Sequence, residues 1–173
     1  PVAVIAMDFV IWLQHVMVHA VPALWRLHQV HHADLDYDLT TGARFHPIEI
    51  ALSMLIKFAT ITVLGPPVLA VVIFEVLLNA TAMFNHGNIR LPAALDRVLR
   101  LFVVTPDMHR VHHSNRRAEH DSNYGFALSV WDRIFRTYVP QPVAGHEGMT
   151  VGLEWQDDRP MRLPWVLWLP FRR

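Results

Sequence analysis

The histidines of this sequence recur in patterns that restrict what it can fold into. The pattern His-x-x-His-His occurs twice, and His-x-x-x-His occurs once inside an apolar, aromatic-rich stretch. Residues three and four apart on an α-helix share a face, so each pattern can direct two or three imidazoles towards one point. The histidines of these patterns are His15, His19, His28, His31, His32, His109, His112 and His113.

This many converging histidines predict a metal site. Buried imidazoles without a shared ligand would each cost of order 1 to 3 kcal/mol, and one metal takes about four to six ligands, so the set indicates two metals. The chain has 12 histidines and no cysteine. The absence of cysteine excludes disulfides, thiolate-ligated zinc, iron–sulfur clusters and a thiol nucleophile.

Four further histidines lie outside these patterns. His86, in FNHGN at the end of an apolar segment, is predicted to be a ninth ligand. His46 is as consistent with packing or a supporting hydrogen bond as with ligation. His120 is expected to support the ligands or to lie at the surface, and His146, in a loop-like stretch, is expected to have no metal role.

Composition and hydropathy predict an all-α integral membrane protein. Hydrophobic residues make up 53% of the chain and charged residues 17%, which departs from the usual soluble balance. Residues 1–25 predict an apolar helix that can enter a bilayer, kinked or restarted at Pro22. Residues 48–84 form two apolar arms around a Gly-Pro-Pro turn, which predicts a transmembrane helical hairpin. A hairpin returns the chain to the membrane face that it left, so the second His-x-x-His-His can rejoin the first.

Two charges lie within the predicted hairpin. Lys57 and Glu75 are placed symmetrically about Pro66, and intramembrane charges are usually paired. We therefore expect Lys57 to contact Glu75, with Ser53 and Asn79 also at matching depth.

The remaining segments are predicted to form a polar cap. Residues 33–47 are expected to be a loop or short interfacial segment, and residues 92–104 a short amphipathic helix. Arginines around the second histidine pattern place the histidine-rich cap on the cytoplasmic side by the positive-inside rule. We assign residues 1–138 to the metal-binding domain and residues 139–173 to an irregular tail covering the cap, and we expect further helices upstream of Pro1.

The ordered set of motifs resembles the fatty acid hydroxylase superfamily, also called the sterol desaturase family. The set consists of His-x-x-x-His, LWRLHQVHH, RFHP, FNHGN, TPDMHRVHHS, DSNYG and WDRIF, and it covers residues 8 to about 138. Two positions depart from the family pattern. Val16 stands where the family often has Arg, and Arg136 stands where it usually has Gly.

The resemblance implies a membrane enzyme with a non-haem di-iron centre. Such enzymes use O2 and two electrons to hydroxylate or desaturate a lipid C–H bond, with the histidines above as iron ligands and His86 as an addition. The electrons are expected from an external donor such as a b-type cytochrome, a ferredoxin or a reductase. Carboxylates are expected to hold the ligands in place; the candidates are Asp8, Asp107, Glu119 and Asp121.

Two other functions are compatible with the same residues. A zinc-dependent membrane hydrolase would use metal-bound water, although a catalytic zinc needs only about three protein ligands. A non-catalytic membrane protein could bind metal or scaffold a partner. Nucleic acid is not an expected partner, because the formal net charge is zero and no long basic run occurs. The lipid, the choice between hydroxylation and desaturation, and the oligomeric state are left open.

Overall fold

The computed structural model describes residues 1–172, and this part of the chain is helical, with isolated β-bridges and no strands. This confirms the predicted all-α class. The α-helices are α1 (Val2–Ala20), α2 (Pro22–His32), α3 (Pro47–Leu64), α4 (Val68–Asn85), α5 (Ala93–Leu99), α6 (Pro106–His112), α7 (Arg117–His120), α8 (Val130–Ile134), α9 (Gly145–Gly148) and α10 (Leu163–Trp168).

Among the described residues, α1, α3 and α4 are the helices long and apolar enough to cross a membrane. Helices α3 and α4 form the predicted hairpin, and Gly65 ends α3 in the left-handed conformation that glycine adopts without strain. Large apolar side chains such as Leu55, Phe58 and Val76 point outward from the hairpin. Such a surface is suited to lipid rather than to water.

The predicted charge pair within the hairpin is confirmed. Lys57 Nζ lies 2.8 Å and 3.0 Å from the two carboxylate oxygens of Glu75. Ser53 and Asn79 line the same cavity as this pair. The two arms of the hairpin are therefore aligned in the register that symmetry about Pro66 predicts.

The predicted restart of the first apolar helix at Pro22 is confirmed. Helix α1 stops at Ala20, and Val21 adopts an extended conformation before Pro22 begins α2. A residue that precedes proline is disfavoured in the α conformation, and the proline ring suits the first turn of the next helix. The break turns the chain so that α2 packs against α1.

The amphipathic helix that the sequence predicts over 92–104 is shorter in the structure, where it covers Ala93–Leu99. The backbone leaves the helix because Val103 pairs with Leu128 in an isolated bridge and the Val104 amide donates to Ala127 O at 3.0 Å. Thr105 then caps α6 by accepting a bond from the Met108 amide. This cap begins the helix that carries the second His-x-x-His-His.

Asp132 of the WDRIF motif joins the polar cap of the protein to the membrane helix α1. Its carboxylate accepts bonds from Trp12 Nε1 at 3.0 Å and Thr137 Oγ1 at 2.7 Å. It also accepts from the backbone amides of Tyr124 and Gly125 at 2.9 Å and 2.8 Å. The residue is fully buried, so one side chain connects α1 to two nearby turns of the cap that are distant from α1 in sequence.

Arg136 is one of the two positions expected to depart from the family pattern. Its backbone φ is +61°, in the left-handed region that costs a residue with a Cβ more than it costs glycine. The chain retains the turn despite the arginine, and the WDRIF segment keeps its contacts.

The C-terminal segment packs on α2. Leu153, Trp165, Val166 and Leu169 form a buried apolar cluster with Val30 and Ala33. Arg44 also bridges to this segment through a hydrogen bond to Pro160 O. The segment thus covers the back of the helix that carries three candidate ligands, while the division at residue 138 stays a prediction.

We predict that Asp132→Ala strongly destabilises the protein. The change leaves four buried donors without their acceptor, and a loss of roughly 2 to 5 kcal/mol in the free energy of unfolding is expected. Thermal unfolding of the detergent-solubilised protein measures it, with the exposed Asp157→Ala as the matched control. Equal melting temperatures for the two variants would contradict a structural role for Asp132.

Candidate metal centre

All nine histidines proposed as ligands lie in one buried region, and none is more than 7% exposed. Helix α1 carries His15 and His19, and α2 carries the first His-x-x-His-His. His86 follows the last residue of α4, and the second His-x-x-His-His lies at the end of α6. The hairpin therefore returns the chain to the face of the first histidines, as expected.

The histidines form two groups, and within each group the ring nitrogens lie within 4.8 Å of one another. One group has five members and the other has four. The first consists of His15, His19, His28, His32 and His112, and the second of His31, His86, His109 and His113.

Each His-x-x-His-His contributes to both groups. In the first copy, His28 and His32 are one helical turn apart and belong to the five-membered group, while His31 points to the other. In the second copy, His112 belongs to the five-membered group, whereas His109 and His113 belong to the four-membered group. Adjacent histidines on a helix point about 100° apart, so the double histidine at the end of each motif supplies both groups.

Hydrogen bonds fix the orientation of several rings. The Nδ1 atoms of His15, His112 and His86 donate to the carbonyl oxygens of Tyr124, Ser122 and Ala82, each at 2.7 Å. A carbonyl oxygen can only accept, so Nδ1 carries the proton and Nε2 presents a lone pair in the neutral ring. This is the tautomer that a metal ligand requires.

A carboxylate holds the ring of His28 in the same tautomer. Glu49 Oε1 lies 2.6 Å from His28 Nδ1, and the Nε2 atoms of His28 and His15 face each other at 3.2 Å. The two Nε2 atoms therefore converge on one point from α1 and α2. Nitrogens bound about 2.0–2.1 Å from a common metal lie roughly 3 Å apart, which matches this spacing.

The four-membered group converges in a similar way. His86 Nε2 lies 3.2 Å from Nε2 of both His31 and His109. Within residues 1–172, several buried ring nitrogens of the two groups have no hydrogen-bond partner. They are Nε2 of His19 and His112, Nδ1 of His31 and His109, and both nitrogens of His32 and His113.

Burial keeps these rings neutral. It holds the pKa of five imidazoles on the cap well below the ordinary value, and the neighbours of each ring lower its pKa further. The five affected residues are His31, His32, His109, His112 and His113. Burial also lowers the pKa of His86 to about 4. A neutral imidazole is the form that binds metal. The unpartnered nitrogens, the converging Nε2 atoms and the neutral donors together fit a pair of metal ions.

One of the four predicted supporting carboxylates contacts a candidate ligand. Asp121 Oδ1 lies 3.3 Å from His19 Nδ1. The other three, expected beside the ligands, bond elsewhere: Asp8 to Trp131 Nε1, Asp107 to Arg110, and Glu119 to Ser114 and Val143. The expectation that these three hold the ligands is therefore not met, because their contacts are with residues other than the candidate ligands.

Sequence reasoning missed Glu49, which makes the shortest of the carboxylate contacts to the histidines. Its signal was present, because an acid in the first turn of an apolar membrane helix is expensive unless it has a partner. His46 caps the N-terminus of that same helix and lies outside both groups. His120 stacks on Trp25 at 5.1 Å and His146 lies in α9, so neither joins a group.

A cavity of about 380 Å³ leads from the histidines into the space between α1, α3 and α4. His15, His28 and Glu49 line its inner end. Its walls include Ile11, Val18, Phe45, Leu78, Met83 and Phe126. Drug-sized and lipid-like ligands bind in mainly apolar cavities of this order of size.

Comparison with known proteins agrees with this architecture. A family model described as fatty acid hydroxylase matches residues 1–137. The chain belongs to the fatty acid hydroxylase family. The resemblance of the histidine motifs is thereby confirmed, and the family membership together with three apolar helices makes this a membrane protein.

The family members most similar to the chain include two vertebrate proteins and one bacterial protein. Alkylglycerol monooxygenase of Xenopus tropicalis is 32% identical over 151 residues, covering 84% of this chain and 32% of that protein. The Homo sapiens protein of that name is 31% identical over 141 residues, with coverage of 79% and 29%. Ornithine lipid hydroxylase OlsE of Rhizobium tropici is 28% identical over 145 residues, with coverage of 83% and 43%.

The chain therefore spans less than half the length of these relatives. No solved structure matches it. The matched portion contains every histidine of both groups.

We predict that Glu49→Gln weakens metal binding by about 10- to 100-fold, because the neutral amide no longer offers a charged acceptor to His28. Competition with a chromogenic chelator measures the affinity of the purified protein for Fe²⁺. Glu147→Gln, at an exposed position, is the matched control. Equal affinities in the two variants would show that the contact with His28 does not support a metal ligand.

Proposed function

We propose that this chain forms the catalytic part of a membrane-bound lipid hydroxylase with two iron ions. The observation that carries the proposal is a pair of buried histidine groups, one of which lines the inner end of an apolar cavity through His15 and His28. An iron-binding centre there would face a lipid chain that enters from the bilayer. The family membership supports the same reaction class.

Each histidine group would hold one iron ion. Nitrogen donors of this type suit iron, zinc and copper, but five and four donors exceed the roughly three that a catalytic zinc uses. The donor count therefore favours iron over the zinc hydrolase. When bound, the two ions would supply the redox chemistry by which R–H, O2, two electrons and two protons give R–OH and water.

The residues of the chain orient the centre and keep water away from it. Glu49, Asp121 and the carbonyl acceptors hold the ring planes, so the Nε2 atoms need little rearrangement. Ile11, Leu78 and Phe126 form an apolar wall beside His15. Such a wall positions a hydrocarbon segment at the centre and excludes competing polar molecules.

Hydroxylation is favoured over desaturation by the names of the relatives, which are monooxygenases and hydroxylases of an alkylglycerol or an ornithine lipid. We propose a polar lipid of this general kind as substrate. The two electrons come from an external donor, as the sequence suggested, such as a b-type cytochrome, a ferredoxin or a reductase.

The first test is the iron content of protein purified anaerobically with iron supplied. We expect about two irons per chain, and about one in either His112→Ala or His113→Ala, because the two residues belong to different groups. The double variant should retain almost none. His146→Ala, outside both groups, is the control and should retain both ions.

The same preparations are then given lipid and O2 with an electron donor. Consumption of O2 with formation of a hydroxylated lipid, lost in the two ligand variants, supports the hydroxylase. A single tightly bound zinc with no O2 consumption would support the hydrolase, and metal without turnover would support the scaffold.

We further propose that the histidine cap faces the cytoplasm. Arg97, Arg116 and Arg117 are exposed on the cap, and cytoplasmic segments near membrane helices carry an excess of arginine and lysine.

The orientation is tested with Ala118→Cys on exposed α7, in a chain that has no other cysteine. We expect a membrane-impermeant maleimide to label this cysteine only after the cells are permeabilised. The unsubstituted chain provides the blank. Full labelling in intact cells would place the cap on the opposite side of the membrane.

A further inference from the structure

Helix α5, the turn that follows it and helix α8 form one unit on the surface of the cap. The Ser129 amide, just before α8, donates to Phe102 O at 3.2 Å, and Ser129 Oγ donates to Arg100 O at 2.9 Å. These bonds hold the end of α5 against the start of α8. We call residues 93–102 and 130–136 the α5–α8 unit.

The outer surface of the α5–α8 unit is apolar. Phe102 is 65% exposed and Ile134 is 59% exposed, although phenylalanine and isoleucine are among the residues most often buried. The other large apolar side chains exposed on the unit include Leu95, Val98, Leu101 and Phe135. Apolar side chains that are exposed together mark a contact with a membrane or with another protein.

The exposed charges of the α5–α8 unit are positive. Arg97 and Arg136 are exposed, whereas the two acids of the unit, Asp96 and Asp132, are buried. Asp96 pairs with the buried Arg100, so neither acid offsets the two exposed arginines. An apolar face with arginine beside it is typical of elements that lie in a membrane interface, where arginine reaches lipid phosphate.

The contacts of α8 with α1 displace the unit away from the histidines. Phe135 stacks on Trp12 with ring centroids 4.5 Å apart, and Trp131 Nε1 donates to Asp8 Oδ2 at 2.7 Å. At 1.5 Å per residue, Asp8 lies about 16 Å along α1 from His19. Helix α8 therefore packs beside the middle of a helix that is long and apolar enough to cross a membrane.

The same level of α1 also faces the transmembrane hairpin. Ile11, which lies between Asp8 and Trp12 on α1, lines a small cavity with Lys57 and Glu75. These two charged residues lie near the middle of α3 and α4. Helix α8 is thus at a depth that the hairpin occupies within its apolar arms.

We infer that the α5–α8 unit is inserted into the lipid leaflet beside α1, as a membrane contact in addition to the three long helices. Its apolar side chains contact lipid acyl chains, and Arg97 and Arg136 bind lipid phosphates. The unit crosses no membrane, so it lies in the leaflet as an interfacial element does. The inference concerns how the cap is held against the bilayer and is independent of the proposed reaction.

A second copy of the chain, or a further segment of a longer protein, would also cover an apolar surface. Two observations favour lipid. The α5–α8 unit is continuous with α1 at the level of the hairpin, and its exposed charges, Arg97 and Arg136, are complementary to phosphate.

The test uses single cysteines, because the chain has none of its own. Phe102→Cys and Ile134→Cys are each labelled with an environment-sensitive dye, and the iron-loaded protein is reconstituted in nanodiscs of phosphatidylcholine and phosphatidylglycerol. One quencher is a lipid with a nitroxide high on its acyl chain, about 5–10 Å below the headgroups, where interfacial elements lie. The other quencher is iodide, which stays in water.

We expect the nitroxide lipid to remove about half of the fluorescence at both positions, and iodide to remove little, because an inserted dye lies among acyl chains. Ala118→Cys on the exposed α7 is the matched control and should respond to iodide only. Leu95→Cys and Leu101→Cys, also at exposed positions, replace either variant if it does not fold.

The role of the arginines is tested with nitroxide lipids of two headgroups. We expect nitroxide phosphatidylglycerol to quench the dye at residue 102 about two- to fivefold more than nitroxide phosphatidylcholine, because each arginine near the surface attracts anionic lipid. Arg97→Gln combined with Arg136→Gln should abolish the preference. Arg117→Gln combined with Arg162→Gln removes the same charge from exposed positions elsewhere and should keep it.

Quenching by iodide at residues 102 and 134 to the level seen at residue 118 overturns the insertion. Protection from both quenchers also overturns it, because protein then covers the surface, and the mass of the particles distinguishes a second copy from a segment of the same chain. Equal quenching by the two headgroups, or a preference that survives loss of Arg97 and Arg136, overturns the role of the arginines.

Discussion

The convergence of buried imidazole nitrogens is the constraint on which this structure depends. His15 and His28 each donate from Nδ1 to a fixed acceptor, and their Nε2 atoms meet at 3.2 Å. Nitrogen donors that converge in this way suit a bound cation. Around it the protein supplies oriented acceptors, a dry environment and an opening towards the membrane helices.

The supporting contacts explain how so many histidines are held in fixed orientations. Backbone carbonyls of the DSNYG segment anchor His15 and His112. Asp132 holds that segment to α1 and to its own helix. The DSNYG and WDRIF motifs are thus parts of one hydrogen-bonded frame. Substitution of Asp132 should therefore disturb the metal centre even though Asp132 contacts no candidate ligand.

Much of the site followed from residue spacing. All nine candidate ligands, the hairpin and the Lys57–Glu75 contact were predicted because helical periodicity and hydropathy are local properties that survive folding. The shortened α5 and the role of Glu49 were not. Each depends on a neighbour that is distant in sequence or on competition between possible partners, as when Asp107 bonds Arg110 rather than a ligand.

The sequence by itself determined the chemical nature of the site, its helical framework and its association with apolar segments. The tertiary structure decided which histidine belongs to which group, and it divided each His-x-x-His-His between the two. It also selected Glu49 and Asp121 as the acids that contact candidate ligands. The physical reason is that spacing sets the direction of a side chain relative to its own helix, whereas the atoms that it meets depend on how the helices pack together.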